Sequence, residues 1–400
     1  MIARVHPGAL GGRIPAIVSK SAAHRALLLA ALSDRPTLIT PEAHSEDIDA
    51  TLGCLPALGA SWERAKGGCL VTPGACTPAD TADCHESGST LRFLIPLMTA
   101  LGSGARFFGR GRLPERPLGP LMDALAAHGC QFSASKLPFT LSGRLTGGEF
   151  LLPGDVSSQF ITGLLMALPL VGGGRIRLTT PLESAGYVRM TVSAMARFGV
   201  PVRMTEGGWE VPGAMYHSPG AMEVEGDWSN AAFFLAAGVN VTGLDEASAQ
   251  PDRAISGMLS AFRAEFRPLD VRETPDLLPI LAAVAACTPG ETRFTGAARL
   301  RIKESDRLRT MAEGIRAIGG DALEEPDGLI VRCARPPAGG QVDAANDHRI
   351  AMAFAIAGTR CLGTVTILGA EAVNKSYPEF FEDFRRLGAS VDVIQLRNDP

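Results

Sequence analysis

No apolar run in this sequence of 400 residues reaches the roughly 18 residues needed to cross a bilayer; the longest lie around 160–171 and 277–287. A membrane-spanning protein is therefore not expected. The opening stretch, MIARVHPG, lacks the apolar core of a secretory signal. Cysteine pairs are missing too. Cys54, Cys69, Cys76, Cys84, Cys130, Cys287, Cys333 and Cys361 follow neither disulfide-framework nor zinc spacing. Reduced thiols in the cytoplasm are the expectation. The Asp and His residues show no ligand spacing, so no metal is expected. There is no basic excess: 38 Lys and Arg stand against 42 Asp and Glu, a net charge of −4. Global attraction to nucleic acid is thereby disfavoured, and any basic cleft must be local. Low-complexity linkers are absent. Hydrophobic residues make up 46% and charged ones 20%, which excludes disorder. The length fits two domains of roughly 200 residues, each able to hold a core.

What is present centres on Ser19 to Leu32, SKSAAHRALLLAAL. Its second half is apolar on every side, the pattern of a helix inside a core. Its first turn is polar and cationic, with Ser19, Lys20, Ser21 and then Arg25. A helix N-terminus carries free N–H groups and the positive end of the dipole, so cations there are unfavourable alone. They make sense around an anion such as a phosphate. A single instance would be read as a Ser cap beside a solvated Lys.

The design recurs. Ser87-Gly88-Ser89-Thr90 opens LRFLIPLMTAL, and Ser157-Ser158-Gln159 opens FITGLLMALPLV. Asp227 to Asn230, Pro275-Asp276 and Asp347-His348-Arg349 open three more apolar stretches. Starts near 20, 88, 157, 227, 275 and 347 are spaced by about 70, with one interval of about 48. Each apolar helix is followed by an amphipathic one. Five of these stop at a glycine (Gly59, Gly129, Gly199, Gly319, Gly388), and the remaining stop is blurred near Phe262 to Glu265. Short strand-like runs follow. Six copies of a unit of two helices and about four strands form two similar lobes. The expected lobes are residues 18–226, and residues 1–17 with 227–400. The fold class is α/β, with the buried helices of each lobe side by side under a sheet. Lobes facing one another would point six helix N-termini into one cleft.

Nine motifs in this order carry a resemblance: SKSxxxR at 19–25, SGSTLR at 87–92, RP at 116–117, SSQ at 157–159, SxxY at 184–187, PD at 275–276, KESDR at 303–307, DHR at 347–349 and the late Lys375. Together they resemble the enolpyruvyl transferases over nearly the whole chain, and within them the branch acting on shikimate 3-phosphate. The resemblance implies an α/β fold of two similar lobes, each of three βαβαββ units with buried parallel helices, an inside-out α/β barrel, in agreement with the repeat count. The resemblance implies transfer of the enolpyruvyl group of phosphoenolpyruvate to the 5-hydroxyl of shikimate 3-phosphate, releasing phosphate by addition and elimination. That is a step toward chorismate and the aromatic amino acids, and a target of glyphosate. It implies a cytoplasmic monomer with no cofactor, no metal, no nucleic acid and no membrane.

Residue by residue, the resemblance places shikimate 3-phosphate on Lys20, Ser21, Arg25, Ser157, Ser158, Gln159, Ser184, Tyr187, Asp276 and Lys303. It places phosphoenolpyruvate on Lys20, Gly88, Arg116, Gln159, Arg307, Arg349 and Lys375. Catalysis would fall to Asp276, accepting the hydroxyl proton, and Glu304, protonating the methylene carbon, with Lys20 beside them. Seven cations gathered in a net-acidic protein would be costly unless anions neutralise them. Arginine forks suit carboxylate and phosphate. Taken alone, Glu304 would be an i,i+3 surface pair with Arg307, and Asp276 a helix cap. Flanking Lys303 and Arg307 favour ionised Glu304, whereas a general acid must carry a proton when used. His348 either buffers protons or holds Arg349 in place; the supporting role is favoured.

The sequence departs from the family pattern at Pro15 to Val18, where Pro-Gly is usual, and at Ala185-Gly186, often Lys-Pro. Glu86 and Arg299 stand where Asn is common, and Arg299 would alter or strengthen a shikimate-phosphate contact. Three other readings fit the sequence less well. The sibling acting on UDP-N-acetylglucosamine typically has an early Lys-Asn pair and a cysteine five residues before the RP arginine; here stand Lys20-Ser21 and Gly111. A ring-shaped DNA clamp would need solvated basic helix faces, and an RNA-end cyclase a nucleotide motif.

Overall fold

The computed structural model describes residues 1–76 and 80–395. The chain divides into two compact units, Val18–Glu225 and Met1–Ile17 with Gly226–Pro400. Each has its own hydrophobic core.

Among the described residues of Val18–Glu225 there are six α-helices. They are α1 (Lys20–Ala31), α2 (Glu46–Cys54), α3 (Gly88–Leu101), α4 (Gly119–Ala126), α5 (Ser158–Ala167) and α6 (Ala185–Arg197). The other unit holds α7 (Trp228–Ala236), α8 (Ile255–Ser260), α9 (Leu278–Ala286), α10 (Arg307–Ala317), α11 (His348–Gly358) and α12 (Phe380–Arg386). Odd-numbered helices are the apolar ones, and their bodies are buried; from Leu278 to Ala286 every residue of α9 is inside. Such helices gain their stability from packing rather than from propensity. In the first unit α3 packs on α5, and α1 packs on α2 and α6; in the second, α7, α9 and α11 pack on one another. Gly163 permits the α3–α5 approach. A Cβ there would lie 2.4 Å from the Arg92 carbonyl oxygen and 2.8 Å from the Pro96 ring, closer than packed atoms tolerate.

Caps begin the buried helices as their sequences suggest. Ser19, Ser87, Ser157, Asp227 and Asp347 each accept a backbone N–H from the first turn of α1, α3, α5, α7 and α11. Helix α9 differs: Pro275–Leu277 forms a 3₁₀ turn before it, with no side-chain cap. Asp276 is thereby released from capping. The five stop glycines, Gly59, Gly129, Gly199, Gly319 and Gly388, all have φ between 81° and 99°, the left-handed region that glycine enters without a Cβ penalty.

Among the described residues five four-stranded sheets share one plan: an outer strand runs parallel to its neighbour and the remaining pairs are antiparallel, the last pair being a hairpin in four of the five. Two of them take in a strand from a distant part of the sequence. Ala221–Glu223 pairs in parallel with Thr37–Thr40 in the first unit, and Ile2–Val5 slots between Val365–Leu368 and Val391–Ile394 in the second. The repeat that starts at α7 is reduced. Its sheet has only two strands among the described residues, Asn240–Thr242 and Arg13–Pro15, and α8 is six residues long. That is where the sequence repeat shortens to about 48 residues and the glycine stop is missing.

Candidate active site

In Val18–Glu225 the polar residues gather at the N-terminal ends of α1, α3 and α5. Lys20 opens α1, and its Nζ lies 2.5 Å from Asp47 Oδ2 in the first turn of α2. The anion that the sequence led us to expect beside this cation is, in part, the protein's own carboxylate. Arg25, one turn on, points inward. It donates from Nε to Thr191 Oγ1 (2.8 Å), from Nη1 to the Ser21 carbonyl (2.6 Å) and from Nη2 to the Tyr187 carbonyl (2.9 Å). It also stacks over Phe93 at 5.3 Å. Burial pushes Arg25 down to about 10, with Tyr187 opposing the shift, so it remains a cation at neutral pH.

A second group joins α3 to α5. Gln159 accepts from Arg92 Nη1 (3.0 Å) and donates to Ser89 Oγ (2.9 Å), so its amide is oriented from both sides. Arg92 also donates to the Pro117 carbonyl (3.1 Å). Gly88 sits against both guanidinium groups. A Cβ on it would lie 2.5 Å from Arg92 Nη1 and 2.8 Å from Arg116 Nη1. Ser157 caps α5 through the Gln159 N–H, and Ser158 is buried beside it. Ser184, immediately before α6, is held at φ 56°. A left-handed conformation is uncommon for serine and is typical of residues fixed by their surroundings at a site. Glu86 lies against the opposite strand-to-turn segment, its Oε2 only 2.3 Å from where a Gly111 Cβ would stand.

The other unit holds a tighter cluster. Arg307, 1% exposed, divides one guanidinium among three carboxylates. Its Nη1 meets Asp276 Oδ1 at 2.7 Å, its Nη2 meets Glu304 Oε2 at 2.8 Å, and its Nε meets Asp347 Oδ2 at 2.8 Å. Arg349 Nη2 reaches the other oxygen of Asp276 at 3.1 Å, and Lys303 Nζ lies 3.9 Å from Oδ1. Burial alone would raise Asp276, but Arg349, Lys303 and Arg307 outweigh it and hold the carboxyl well below its usual range. Burial pushes Lys303 down to about 8, against the pull of Asp276 and Glu304. Arg307 is raised, because the three carboxylates overcome its burial.

The i,i+3 pair of Glu304 with Arg307 therefore exists, but it is not a surface pair. Lys375, nearly buried, donates to the Asn346 carbonyl at 2.6 Å. That carbonyl belongs to a left-handed turn, Ala345 at φ 50° and Asn346 at φ 53°, leading into Asp347. The same device precedes α3, with His85 at φ 50°; Asp83 and Asp343 each accept the N–H two residues on. His348 is buried beside Asp347, and Arg299 donates to the Arg272 carbonyl at 2.7 Å.

Expected site residues are thus brought together within each unit. Asp276, Lys303, Glu304, Arg307 and Arg349 form one cluster; Gly88, Arg116 and Gln159 form another through Arg92; Arg25 and Tyr187 share a hydrogen bond. Three participants escaped the sequence reading: Asp47, Arg92 and Asp347. Arg92 and Asp347 lie inside quoted motifs, SGSTLR and DHR, but nothing in their spacing gave them a partner. The only mark on Asp47 is its place in an acidic first turn, Glu46, Asp47 and Asp49.

The sequence matches the family described as EPSP synthase (3-phosphoshikimate 1-carboxyvinyltransferase) over residues 5–265 and 246–384. The 3-phosphoshikimate 1-carboxyvinyltransferase of Clostridium kluyveri is 39% identical over 415 residues, covering 97% of each chain. The protein of the same name from Clostridium novyi is 39% identical over 425 residues, covering 97% of this chain and 98% of its own. Among solved structures, an EPSP synthase from Acinetobacter baumannii superposes with a TM-score of 0.81 at 26% identity, covering 98% of this chain and all of that one.

Proposed function

The chain belongs to the EPSP synthase family, and on that footing we propose that the polar clusters of its two units carry the family's reaction. That reaction transfers the enolpyruvyl group of phosphoenolpyruvate to the 5-hydroxyl of shikimate 3-phosphate and releases phosphate, in the pathway to aromatic amino acids. Its substrates are shikimate 3-phosphate and phosphoenolpyruvate. Among the described residues no helix is long and apolar enough to cross a membrane. We take the enzyme to act as a cytoplasmic monomer, with residues 18–226 as one lobe and residues 1–17 with 227–400 as the other.

In this reading Lys20, Ser21, Arg25, Ser157, Ser158, Gln159, Ser184, Tyr187, Asp276 and Lys303 hold shikimate 3-phosphate. Lys20, Gly88, Arg116, Gln159, Arg307, Arg349 and Lys375 hold phosphoenolpyruvate. The observation that carries the proposal is the placing of Asp276 and Glu304 on adjacent corners of one buried guanidinium, 2.7 and 2.8 Å away. Two carboxylates so close to a shared cation can take different protonation roles once that cation turns to another anion.

Glu304 gives a proton to the methylene carbon of phosphoenolpyruvate, and the adjacent carbon becomes electrophilic. Asp276 accepts the proton of the 5-hydroxyl as its oxygen attacks that carbon, giving a tetrahedral adduct. Loss of phosphate, which takes up the proton held by Asp276, and return of a methyl proton to Glu304 leave the enol ether and restore both carboxyl groups to their starting states. Held by three cations, Asp276 is a weak base. Substrate phosphate and carboxylate drawing on Arg307, Arg349 and Lys303 would raise its basicity when it is needed. The test is phosphate release. Release with phosphoenolpyruvate and shikimate 3-phosphate together, and none when UDP-N-acetylglucosamine replaces the latter, is the expected result; the reverse preference would overturn it.

A further inference from the structure

Arg307 touches three carboxylates that differ in their freedom to leave. Asp276 and Glu304 are 17% and 21% exposed, whereas Asp347 is fully buried. The contacts of Asp347 with the surrounding backbone and side chains fix it further. Its Oδ1 accepts the Arg349 N–H at 3.0 Å as the cap of α11, and its Oδ2 accepts Ser305 Oγ at 3.0 Å. Oδ2 also takes Arg307 Nε at 2.8 Å, while Oδ1 lies 3.3 Å from Nη2. The carboxylate thus grips the Nε side of the guanidinium, closely at Nε and more loosely at Nη2, while Nη1 is turned to Asp276 and Nη2 is shared with Glu304.

We propose that Asp347 is a positioning residue for phosphoenolpyruvate: it anchors Arg307 by the Nε edge so that the outer nitrogens can pass from Asp276 and Glu304 to the substrate anion. This rests on the reading that Arg307 binds phosphoenolpyruvate. The physical case is one of asymmetry. An arginine whose contacts are all exchangeable would be reoriented by the incoming anion, and the ordering cost would fall on binding. With one edge held by a desolvated, hydrogen-bonded carboxylate, the fork is fixed before the ligand arrives. Removing one member of a buried ion cluster is disruptive, because the others lose their counter-charge. The same carboxylate fixes the N-terminus of α11, on which Arg349 sits, so two of the proposed phosphoenolpyruvate cations are registered against one atom pair.

The test compares Asp347→Asn, Asp347→Ser and Ser305→Ala with the parent and with Arg307→Lys, measuring kcat and the KM for each substrate by phosphate release. Asn and Ser both retain a helix cap, so loss of the cap alone does not explain a defect. A purely structural role lowers the active fraction, and with it kcat, leaving KM unchanged. The positioning role raises the KM for phosphoenolpyruvate on the order of tenfold in the Asp347 variants and roughly threefold in Ser305→Ala, while the KM for shikimate 3-phosphate stays within about twofold. Ser305→Ala removes only a hydroxyl and keeps the question answerable should both Asp347 variants fail to fold. If Arg307→Lys raises the KM for phosphoenolpyruvate and no variant at 347 or 305 does, the positioning role is overturned by itself. If Arg307→Lys leaves that KM unchanged, the reading of Arg307 fails and takes this proposal with it.

Discussion

Lys20 and Asp47 meet across 2.5 Å, and neither side chain is more than 17% exposed. The lysine begins α1 where the helix dipole disfavours a cation, and the aspartate begins α2 where the dipole favours an anion. Each is therefore placed on electrostatic grounds by the other. The pair fixes the ammonium group in one direction at the first turn of α1.

Replacing Asp47 by Asn removes that counter-charge and leaves the side-chain volume. We expect kcat/KM to fall on the order of tenfold as Lys20 loses its orientation, with a stability loss of about 1 kcal/mol or less from the first turn of α2. Steady-state kinetics and thermal melts separate the two. Unchanged kinetics would show that Lys20 is placed without Asp47.

Gly88→Ala should fold, because Gly88 is not among the residues with positive φ. The obstruction is local: the new methyl group would press on Arg92 and Arg116. Both guanidinium ends must move by several tenths of an ångström, and the space between them narrows. The affinity for phosphoenolpyruvate should weaken, and that for glyphosate, a slightly longer molecule, should weaken more. Inhibition and KM measured side by side decide it. Equal losses would mean that the pocket is not what the methyl group fills.

Lys303 supplies a pH dependence. Burial pushes it down to about 8, so the free enzyme loses this cation as pH rises through that value. If Lys303 binds a substrate phosphate, kcat/KM for shikimate 3-phosphate falls above about pH 8, approaching tenfold per pH unit. Lys303→Arg keeps the charge at those pH values and should remove this alkaline limb, even if its overall activity is lower. A limb unchanged in Lys303→Arg belongs to another group.

Much of the framework was legible because it is written in local sequence. Caps at Ser19, Ser87, Ser157, Asp227 and Asp347 and glycine stops such as Gly59 and Gly319 act within a few residues of themselves. The apolar helices were visible for the same reason. The start of α9 was less clear, since Pro275–Leu277 forms a 3₁₀ turn and frees Asp276 to face Arg307 and Arg349. Motifs likewise revealed the cations but not their counter-charges. Asp47 lies 27 residues from Lys20, and Asp347 lies 40 from Arg307. Pairings over such distances are made by the packing of helices and leave no period in the sequence. The sequence reading looked for the neutralising anions in the substrates and did not name these carboxylates as partners. Their presence lowers the cost of gathering the cations before a substrate arrives.

The division of labour between Asp276 and Glu304 is the centre of the account, and the movement of hydrogen reports it directly. Turnover in deuterated water is followed by mass spectrometry at the methylene carbon of recovered phosphoenolpyruvate and of product. Glu304→Gln preserves size and hydrogen bonding but has no proton to give, so deuterium entry should slow by about 10²–10⁴-fold. Asp276→Asn should also slow turnover, by disabling the hydroxyl attack on the shikimate side. Incorporation by Glu304→Gln near the parent's rate would contradict the account and move the general acid elsewhere, with Lys20 the next group to test.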